Sequence, residues 1–553
     1  MNVKNYLKEK IINSAKTIGL YQIEHDELEL SEPKQKGHGD LSTNVALILA
    51  SREKKNPREI ALSIVKGLNI DRDLIEKVEI AGPGFINFTL SQKLLHRLCI
   101  EILDRGDDFG KSDIGKGKKT QVEFVSANPT GPLTIGHGRQ AVLGDTIARL
   151  LDATGHRVTR EYYFNNAGRQ MRILADSVKL RYMELFGKSI DFPEDYYQGE
   201  YINEIAKIAA NEKGRALIDT DELEYFQHLA EETIFNDIKT TLARLNIFFD
   251  VYYNEKSLYE TGKIDEVIKK LREKDLAYDK DGAVWFRTTR FGMDKDRVII
   301  KSTGEPTYRL PDIAYHKDKI DRGFELIVDI FGADHIDTYP DVLAGIEALG
   351  YDKNRVKVLI HQFVTLVEGS EKVKMSTRRA NFITLDELID EVGTDVTRYF
   401  FINRSMTSHL NFDLKLAKTQ TDENPVFYVQ YAHARICSII RHAEKEGIDP
   451  DEMGDLSLLT TPEEIDLMRI LIGYPDVVAR AAKNFEPHKI PAYLETVATL
   501  YHRFQHAGKV DDKLRVVTKD KPMTLARLAL CRAARIVLSN GLTLLGITQP
   551  EKM

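Results

Sequence analysis

The segment from Val122 to Leu151 constrains the fold of this chain more than any other. It reads VEFVSANPTGPLTIGHGRQAVLGDTIARLL: an apolar strand, a turn rich in Pro and Gly, and a helix whose first turn carries Gly136, His137 and Gly138. Glycines let the backbone approach a ligand closely, and a helix N-terminus offers N–H groups and partial positive charge to an anion. This layout predicts a nucleotide phosphate site, although a βα unit with a tight turn and no ligand has the same pattern.

A second informative segment lies about 240 residues downstream, where Lys374, Met375 and Ser376 begin the sequence KMSTR. TIGHG after a strand and KMSTR far downstream resemble the two nucleotide-binding signatures of class I aminoacyl-tRNA synthetases. The words SANPTGPLTIGHGR, TYRLPDIAYH, YVQYAHARICSI and LGITQPEKM resemble the arginyl-tRNA synthetases, over nearly the whole chain. The resemblance implies ATP-dependent attachment of L-arginine to tRNA(Arg) through an arginyl-adenylate, with release of AMP and pyrophosphate.

Composition limits the class of protein. A chain of 553 residues is expected to form several domains, because a single core rarely exceeds about 250 to 300 residues. The cysteines at 99, 437 and 531 are isolated and odd in number, so neither a disulfide framework nor protein-bound zinc is expected. The sequence shows no signal peptide and no membrane-spanning apolar run, which predicts a cytoplasmic protein without a membrane partner, and we expect it to act as a monomer. The net charge of −7 weighs only mildly against an RNA partner, because the local field decides such binding.

Three regions with different patterns predict a multidomain fold. Residues 1–112 predict a small α+β domain, which resembles the N-terminal domain of the family and is expected to contact the outer corner of tRNA. Residues 113–406 alternate strand-like and helical runs, which predicts an α/β doubly wound, Rossmann-like catalytic domain. Within it, charged amphipathic helices over about 179–261 predict a helical insertion. Strand signals vanish after about Thr407, so residues 407–553 predict an all-α bundle that resembles the anticodon-binding domain of the family.

Two local patterns refine these regions. DLSTNVALILA in the first region predicts a helix capped by Asp40 or Ser42. The last region carries aromatic and guanidinium groups that are suited to stack on unpaired bases or pair with phosphates, while packing roles for the same residues stay open. These residues are Tyr428, Tyr431, His433, Arg435 and Arg441.

The two signatures together suit the first step of the reaction that the resemblance implies. An amino-acid carboxylate attacks the α-phosphate of ATP, and the protein must position the reactants and stabilise charge. His137 is expected to donate to phosphate oxygens, Gly136 and Gly138 to allow close approach of the adenosine, and Lys374 to neutralise the departing pyrophosphate. Mg²⁺ is expected on the ATP itself.

Two positions depart from the class I pattern. The first signature usually reads His-Ile-Gly-His, but Thr134 stands in the first His position, where it can still hydrogen-bond. The second signature usually has a second Lys, where this chain has Thr377. Candidates for the missing charge are Arg378, Arg379, Lys118 and Lys119.

An arginine substrate needs carboxylates for its guanidinium, which presents several donors in a planar fork. Glu123 and Asp312 are the candidates for the guanidinium. By resemblance, Ser126 and Asn128 face the amino-acid backbone, and Tyr308 belongs to the same pocket as Asp312. Without the family, TYRLPDIAY predicts a short helix with Asp312 near its start, and a cap or ion-pair role for Asp312 stays open.

The word GADH after the strand LIVDIF adds a further set of site residues. Class I enzymes contact either the adenosine ribose or the substrate amino group at this point of the sheet. By resemblance, Gly332 and Asp334 are expected to bind ATP together with Met375 and Ser376, while His335 is expected to contact arginine.

Two other functions remain open at this stage. A class I enzyme that charges cysteine usually needs a thiolate zinc site for selectivity, and the three scattered cysteines argue against it. A catalytically silent, synthetase-like RNA-binding protein is expected to lose His137, Lys374 and the pocket carboxylates, and all of them remain in this sequence.

Overall fold

The computed structural model describes residues 3–33, 35, 37–333, 336–369, 371–372 and 383–553. Its N-terminal unit packs helices against a three-stranded antiparallel sheet of order β1-β3-β2 around a core that contains Phe88. The helices are α1 (Val3–Thr17), α2 (Val45–Glu53), α3 (Pro57–Gly67) and α4 (Gln92–Arg105), and the strands are β1 (Leu41–Thr43), β2 (Ile75–Ala81) and β3 (Phe85–Leu90).

The predicted cap of α2 is wrong. Helix α2 follows strand β1, so its N-cap is Asn44, whose side chain makes no capping hydrogen bond. Asp40 instead accepts a hydrogen bond from the backbone N–H of Leu90 in β3 at 2.7 Å. Ser42 lies within β1, where it pairs with Asn87. The polar side chains that looked like caps therefore belong to the sheet.

The middle of the chain contains the main sheet, two smaller sheets and most of the helices. Its strands are β4 (Lys119–Glu123), β5 (Arg157–Phe164), β6 (Val251–Asn254), β7 (Ala277–Lys280), β8 (Ala283–Phe286), β9 (Arg297–Ile300), β10 (Leu326–Gly332), β11 (Val356–His361), β12 (Val364–Glu368), β13 (Glu371–Lys372) and β14 (Leu410–Asp413). Its helices are α5 (Ile135–Ala153), α6 (Arg169–Leu185), α7 (Glu200–Lys213), α8 (Leu223–Arg244), α9 (Lys256–Glu260), α10 (Lys263–Glu273), α11 (Arg309–Asp321), α12 (Tyr339–Leu349), α13 (Leu385–Val392), α14 (Thr394–Ile402) and α15 (Leu414–Lys418).

The main sheet has the order β11-β10-β4-β5-β6, and all of its described pairs are parallel. The chain leaves β4 toward β5 and β6, then returns to the other side of β4 through β10 and β11. The strand order therefore reverses beside β4. In open α/β sheets, ligands bind outside the carboxyl ends of the strands at such a reversal.

The helical insertion is present, but part of it belongs to the sheet. Helices α6, α7 and α8 pack on one another through buried residues such as Leu174, Ile202 and Phe226. Residues 251–254, inside the range 179–261 predicted for the insertion, form β6 and pair with β5. Two further features were not predicted: the antiparallel sheet β7-β8-β9, and β14, which lies after Thr407 and pairs in parallel with β12.

The C-terminal part is a helical bundle, as predicted. It consists of α16 (Pro425–Lys445), α17 (Pro462–Ile472), α18 (Tyr474–Asn484), α19 (Lys489–Val510) and α20 (Lys521–Leu545). Among the described helices, α20 alone is long and apolar enough to cross a membrane, and 61% of its most apolar window is buried, as in a core helix. The bundle contacts the N-terminal unit through ion pairs such as Arg469 with Asp40 at 2.8 Å.

Candidate active site

The first signature forms the start of α5, at the reversal point of the sheet. Thr134 is the N-cap: its hydroxyl accepts from the backbone N–H of His137 at 3.5 Å, and its own backbone N–H donates to His137 Nδ1 at 3.2 Å. A backbone N–H can only donate, so Nδ1 accepts and the neutral imidazole carries its proton on Nε2. This reciprocal capping box holds the ring at the helix start as a hydrogen-bond donor. Thr134, which replaces the first His of the family pattern, thus orients the remaining one.

The two glycines of the signature lie in different surroundings. Among the described residues, a side chain at Gly136 would meet only the Thr134 hydroxyl, at an ordinary contact distance of 3.6 Å. A side chain at Gly138 would come within 2.5 Å of Leu385 Cδ1 and 3.0 Å of Phe401 Cε2. Glycine at position 138 therefore permits close packing of α13 and α14 on α5, while any contact of its backbone with ATP stays a prediction.

Glu123, at the end of β4, is buried in a network of charges. Its Oε1 accepts from the Ser126 hydroxyl at 2.9 Å and its Oε2 from Lys319 Nζ at 2.5 Å. Lys319 also donates to Asp329 of β10 at 2.6 Å. The other oxygen of Asp329 lies 2.9 Å from His316 Nε2, within hydrogen-bond distance. Burial raises the pKa of Glu123 against the charge of Lys319, whereas Lys319 and His316 outweigh burial and hold the pKa of Asp329 low. Both oxygens of Glu123 therefore already have partners.

The backbone beyond Glu123 is strained. Val125 and Ser126 have φ of 68° and 43°, a region that L side chains rarely adopt. The turn places Ser126 Oγ where it donates to Glu123 and accepts from the backbone N–H of Tyr163 in β5 at 3.1 Å. Such strain persists where surrounding contacts over-determine it, commonly at functional sites. Asn128 follows this turn and fixes the loop after β5, because its Oδ1 accepts from the backbone N–H of Asn165 at 2.9 Å.

Asp312, unlike Glu123, has a carboxylate without a hydrogen-bond partner among the described residues. It lies in the first turn of α11, whose N-cap is Tyr308 and which has no side-chain cap, so the alternative that Asp312 caps this helix is wrong. Among the described residues nothing donates a hydrogen bond to its carboxylate. Burial, with the nearby charges of Glu123 and Glu255, raises the pKa of Asp312 to about 7, while His316 and Lys319 oppose the shift. An uncompensated carboxylate in this position is suited to receive a cation.

Glu255 completes a cluster of three carboxylates with Glu123 and Asp312, here called the acidic pocket, and the sequence did not single it out. It follows β6 directly, and its Oε2 accepts from the Tyr163 hydroxyl at 2.7 Å. The rings of Tyr163 and Tyr315 pack at a centroid distance of 4.4 Å beside it. The sequence offers one signal for it, the short run VYYN just before Glu255, which falls inside the range predicted for the helical insertion.

The remaining predicted residues are distributed as follows. Tyr308 is 87% exposed in this structure and makes no capping bond, so its contact with arginine stays a prediction. Gly332 ends β10 and pairs with His361 of β11, at the same sheet edge as Glu123. Outside the described residues lie Asp334, His335, Lys374, Met375 and Ser376. Within the described part of the chain, no group of three or more His, Cys, Asp or Glu side chains is arranged to hold a metal ion.

Comparison with known proteins identifies the family of each part of the chain. Three family models cover the chain: the arginyl-tRNA synthetase N-terminal domain matches residues 2–90, the class I (R) tRNA synthetase catalytic domain residues 100–433, and the DALR anticodon-binding domain residues 429–553.

Similar proteins extend over the full length. The arginine-tRNA ligase of Desulfotalea psychrophila is 54% identical over 523 residues, which is 94% of each chain, and that of Salinibacter ruber is 50% identical over 570 residues, which is 100% of each chain. The solved Thermus thermophilus arginyl-tRNA synthetase shares the fold, with a TM-score of 0.78, full coverage of both chains and 21% identity. The chain therefore belongs to the arginyl-tRNA synthetase family of class I aminoacyl-tRNA synthetases.

Proposed function

We propose that this chain activates L-arginine with ATP and attaches it to tRNA(Arg), with release of AMP and pyrophosphate. The observation that carries the proposal is the pairing of two complementary features at one sheet edge. The capped start of α5 with His137 is suited to phosphate, and Asp312, a carboxylate without a hydrogen-bond donor among the described residues, is suited to a guanidinium. Family membership supports both assignments.

In the first step, an oxygen of the arginine carboxylate attacks the α-phosphorus of ATP. A new P–O bond forms to the carboxylate while the P–O bond to pyrophosphate breaks, so negative charge develops on the phosphoryl oxygens and on the leaving group. His137 donates from Nε2 to those oxygens, because Thr134 occupies Nδ1. Lys374 neutralises the departing pyrophosphate. Gly136 lets the backbone of the helix start approach the adenosine. Gly332, Asp334, Met375 and Ser376 are proposed to bind ATP as well.

Arginine selectivity comes from the acidic pocket at the ends of β4 and β6 and the start of α11. Asp312 pairs with the guanidinium, and Glu123 and Glu255 add negative potential from either side. Lys319 and Ser126 hold Glu123 rigid, so the pocket is preorganised before arginine enters. The ammonium group of lysine cannot pair with the same set of carboxylates. The site therefore rejects lysine, because its binding would leave buried carboxylates unpaired. Tyr308, His335 and Asn128 contact the remainder of the substrate.

In the second step, a ribose hydroxyl at the 3′ end of tRNA attacks the adenylate carbonyl and expels AMP. The helical bundle receives the anticodon loop, and the N-terminal unit contacts the outer corner of the tRNA. The DALR family match of residues 429–553 supports the first assignment. We further propose that the enzyme acts as a monomer in the cytoplasm, without a membrane partner.

Magnesium enters this proposal as part of the ATP substrate. Mg²⁺ prefers oxygen ligands, and the triphosphate of ATP supplies them, so the ion arrives with the nucleotide and neutralises part of its charge. The donors at the start of α5 and Lys374 neutralise the remaining charge of the triphosphate.

The proposal is tested by aminoacylation. Purified enzyme, ATP, Mg²⁺ and labelled arginine are incubated with a tRNA(Arg) transcript and, as control, with a transcript of another tRNA. Acid-stable label on tRNA(Arg) alone, with one AMP formed for each arginine attached, is the expected result. Labelling of neither transcript, or equal labelling of both, contradicts the proposal.

A further inference from the structure

Arg139, two residues after His137 on α5, is a fully buried guanidinium that has no acidic partner in the described part of the chain. Its relative exposure is 0%, and among the described residues no carboxylate lies within ion-pair distance. Its fork instead donates to three backbone carbonyls: Nη1 to Gln362 at 2.7 Å, and Nη2 to Ser405 and Ser408 at 3.0 Å each. Burial lowers the pKa of Arg139 to about 10, still far above neutral pH, so the group remains charged.

The three acceptors lie in the segments that directly precede two paired strands, here called the strand entrances. Gln362 separates β11 from β12, and Ser405 and Ser408 belong to the turn that precedes β14. These two segments also bond to each other, because the backbone N–H of Gln362 donates to Met406 O at 2.9 Å and that of Leu410 to Phe363 O at 3.2 Å. Strands β12 and β14 then run in parallel, with Val364 opposite Leu410. One side chain from the signature helix therefore spans both entrances.

Further contacts place helices α13 and α14, which follow β12 and precede β14 in the chain, against the start of α5. The backbone N–H of Leu385 donates to Leu133 O at 2.8 Å, and Thr384 forms a bridge with Thr134. Gly138 has no side chain, which lets Leu385 and Phe401 pack on the helix. Thr134 is the residue that orients His137, so the unit formed by β12, β14, α13 and α14 adjoins the His137 site directly. Strands β12 and β13 are the last described elements before the sequence KMSTR along the chain.

We propose that Arg139 is a positioning residue for adenylate formation: its three carbonyl contacts fasten the β12–β14 unit to the helix that holds His137. The inference rests on the proposed function. A buried guanidinium that meets only carbonyls is costly to desolvate, and an apolar side chain of similar volume would fill the same space. An apolar side chain, however, cannot hydrogen-bond to both strand entrances at once, as the planar guanidinium does, and so cannot fix their relative position. A displacement of about 1 Å between reacting groups costs about 100-fold in rate.

The test compares Arg139→Gln and Arg139→Lys with a matched control, Arg527→Lys. Arg527 is also buried and donates to two backbone carbonyls, those of Lys513 and Arg515, but it lies within the distant bundle and also pairs with Glu464 at 2.8 Å. Arginine-dependent exchange of pyrophosphate into ATP is measured with saturating tRNA, giving kcat and the KM for arginine. Urea unfolding reports stability, and amide hydrogen exchange at Gln362 and Leu410 reports the strand entrances.

We expect Arg139→Gln to lower kcat about 100-fold with little change in the KM for arginine, because the arginine pocket lies on other strand ends. Arg139→Lys keeps the charge but not the fork, so it gives an intermediate loss. In both variants the two amides exchange faster, while Arg527→Lys changes neither kcat nor these amides.

Three results overturn the inference: a folded Arg139→Gln enzyme with kcat near that of the wild type, a rise in the KM for arginine that accounts for the whole defect, or an equal loss of kcat in Arg527→Lys. If Arg139→Gln does not fold, Arg139→Lys decides, and normal kcat there overturns the inference. Wild-type enzyme that shows no arginine-dependent exchange would instead refute the proposed function.

Discussion

Replacing Asp312 by Asn tests arginine binding separately from ATP binding. The amide keeps the shape of the carboxylate and removes its charge. If Asp312 pairs with the guanidinium, the variant leaves a desolvated cation with a weaker partner, at a cost of about 2 to 5 kcal/mol. Since each 1.4 kcal/mol is a factor of ten, arginine binding weakens roughly 30- to 4,000-fold. ATP binding survives, because the phosphate site lies at the start of α5 rather than on α11.

The same substitution is expected to stabilise the protein. The pKa of Asp312 is raised from 3.8 to about 7 by burial and by the neighbouring Glu123 and Glu255. Below pH 3.8 the group is protonated in both states and costs nothing. Between pH 3.8 and 7 the unfolded chain releases the proton while the folded protein keeps it, so the free energy of unfolding falls as pH rises. Above pH 7 the full cost, up to about 4 kcal/mol, is present, and Asp312→Asn removes it.

The assay is a pair of measurements on one variant. Titration calorimetry at pH 8 gives the Kd for arginine, and urea unfolding at pH 5 and pH 8 gives stability. Asp321→Asn serves as control, because Asp321 ends the same helix and binds Lys317 and Tyr351 instead of facing the pocket. We expect Asp312→Asn to lose arginine affinity and to gain more stability at pH 8 than at pH 5. Retained arginine affinity, or a loss of stability at pH 8, refutes the reasoning.

The remaining predictions concern the two signatures and the bundle. Lys374→Ala should lower the rate of adenylate formation roughly 100-fold or more while arginine binding stays intact, as measured by pre-steady-state formation of the adenylate; equal effects on both steps would contradict its role. Gly138→Ala places a methyl group 2.5 Å from Leu385 and 3.0 Å from Phe401, so urea unfolding should show a loss of about 1 to 3 kcal/mol, and an unchanged midpoint would show that α13 and α14 yield freely. Tyr431→Ala removes a 41% exposed ring that stacks on Phe427 and should weaken tRNA binding by about 1 to 3 kcal/mol without changing pyrophosphate exchange; unchanged tRNA affinity in a filter-binding assay would make Tyr431 a packing residue.

The fold was largely predictable because its strongest signals are local. The strand, turn and helix of the first signature lie within thirty consecutive residues, and periodicity identified the parallel sheet and the bundle. The family comparisons and the structure confirm this fold class. The short strands β6 and β14 were missed, because four residues flanked by helical patterns carry little periodicity of their own. Their partners, β5 and β12, are distant in sequence, so tertiary pairing decides them.

The residue types of the candidate site were predictable, but the hydrogen bonds and ion pairs between them were not. Glu123 and Asp312 looked equivalent in the sequence, yet Lys319, 196 residues away, binds one of them and leaves the other open. Glu255 was missed because its strand was. Thr134 departs from the family pattern in the sequence, but its effect on His137 depends on the capping geometry at the start of α5, which the sequence alone does not indicate.

The central claim is that this site activates arginine through recognition of its charge. It is tested most directly by amino-acid-dependent exchange of pyrophosphate into ATP, run with and without tRNA(Arg), with arginine and with citrulline, which has nearly the same shape but a neutral ureido group. The account predicts exchange with arginine and almost none with citrulline under whichever tRNA condition supports the reaction. No exchange with arginine in either condition, or comparable exchange with citrulline, would contradict it.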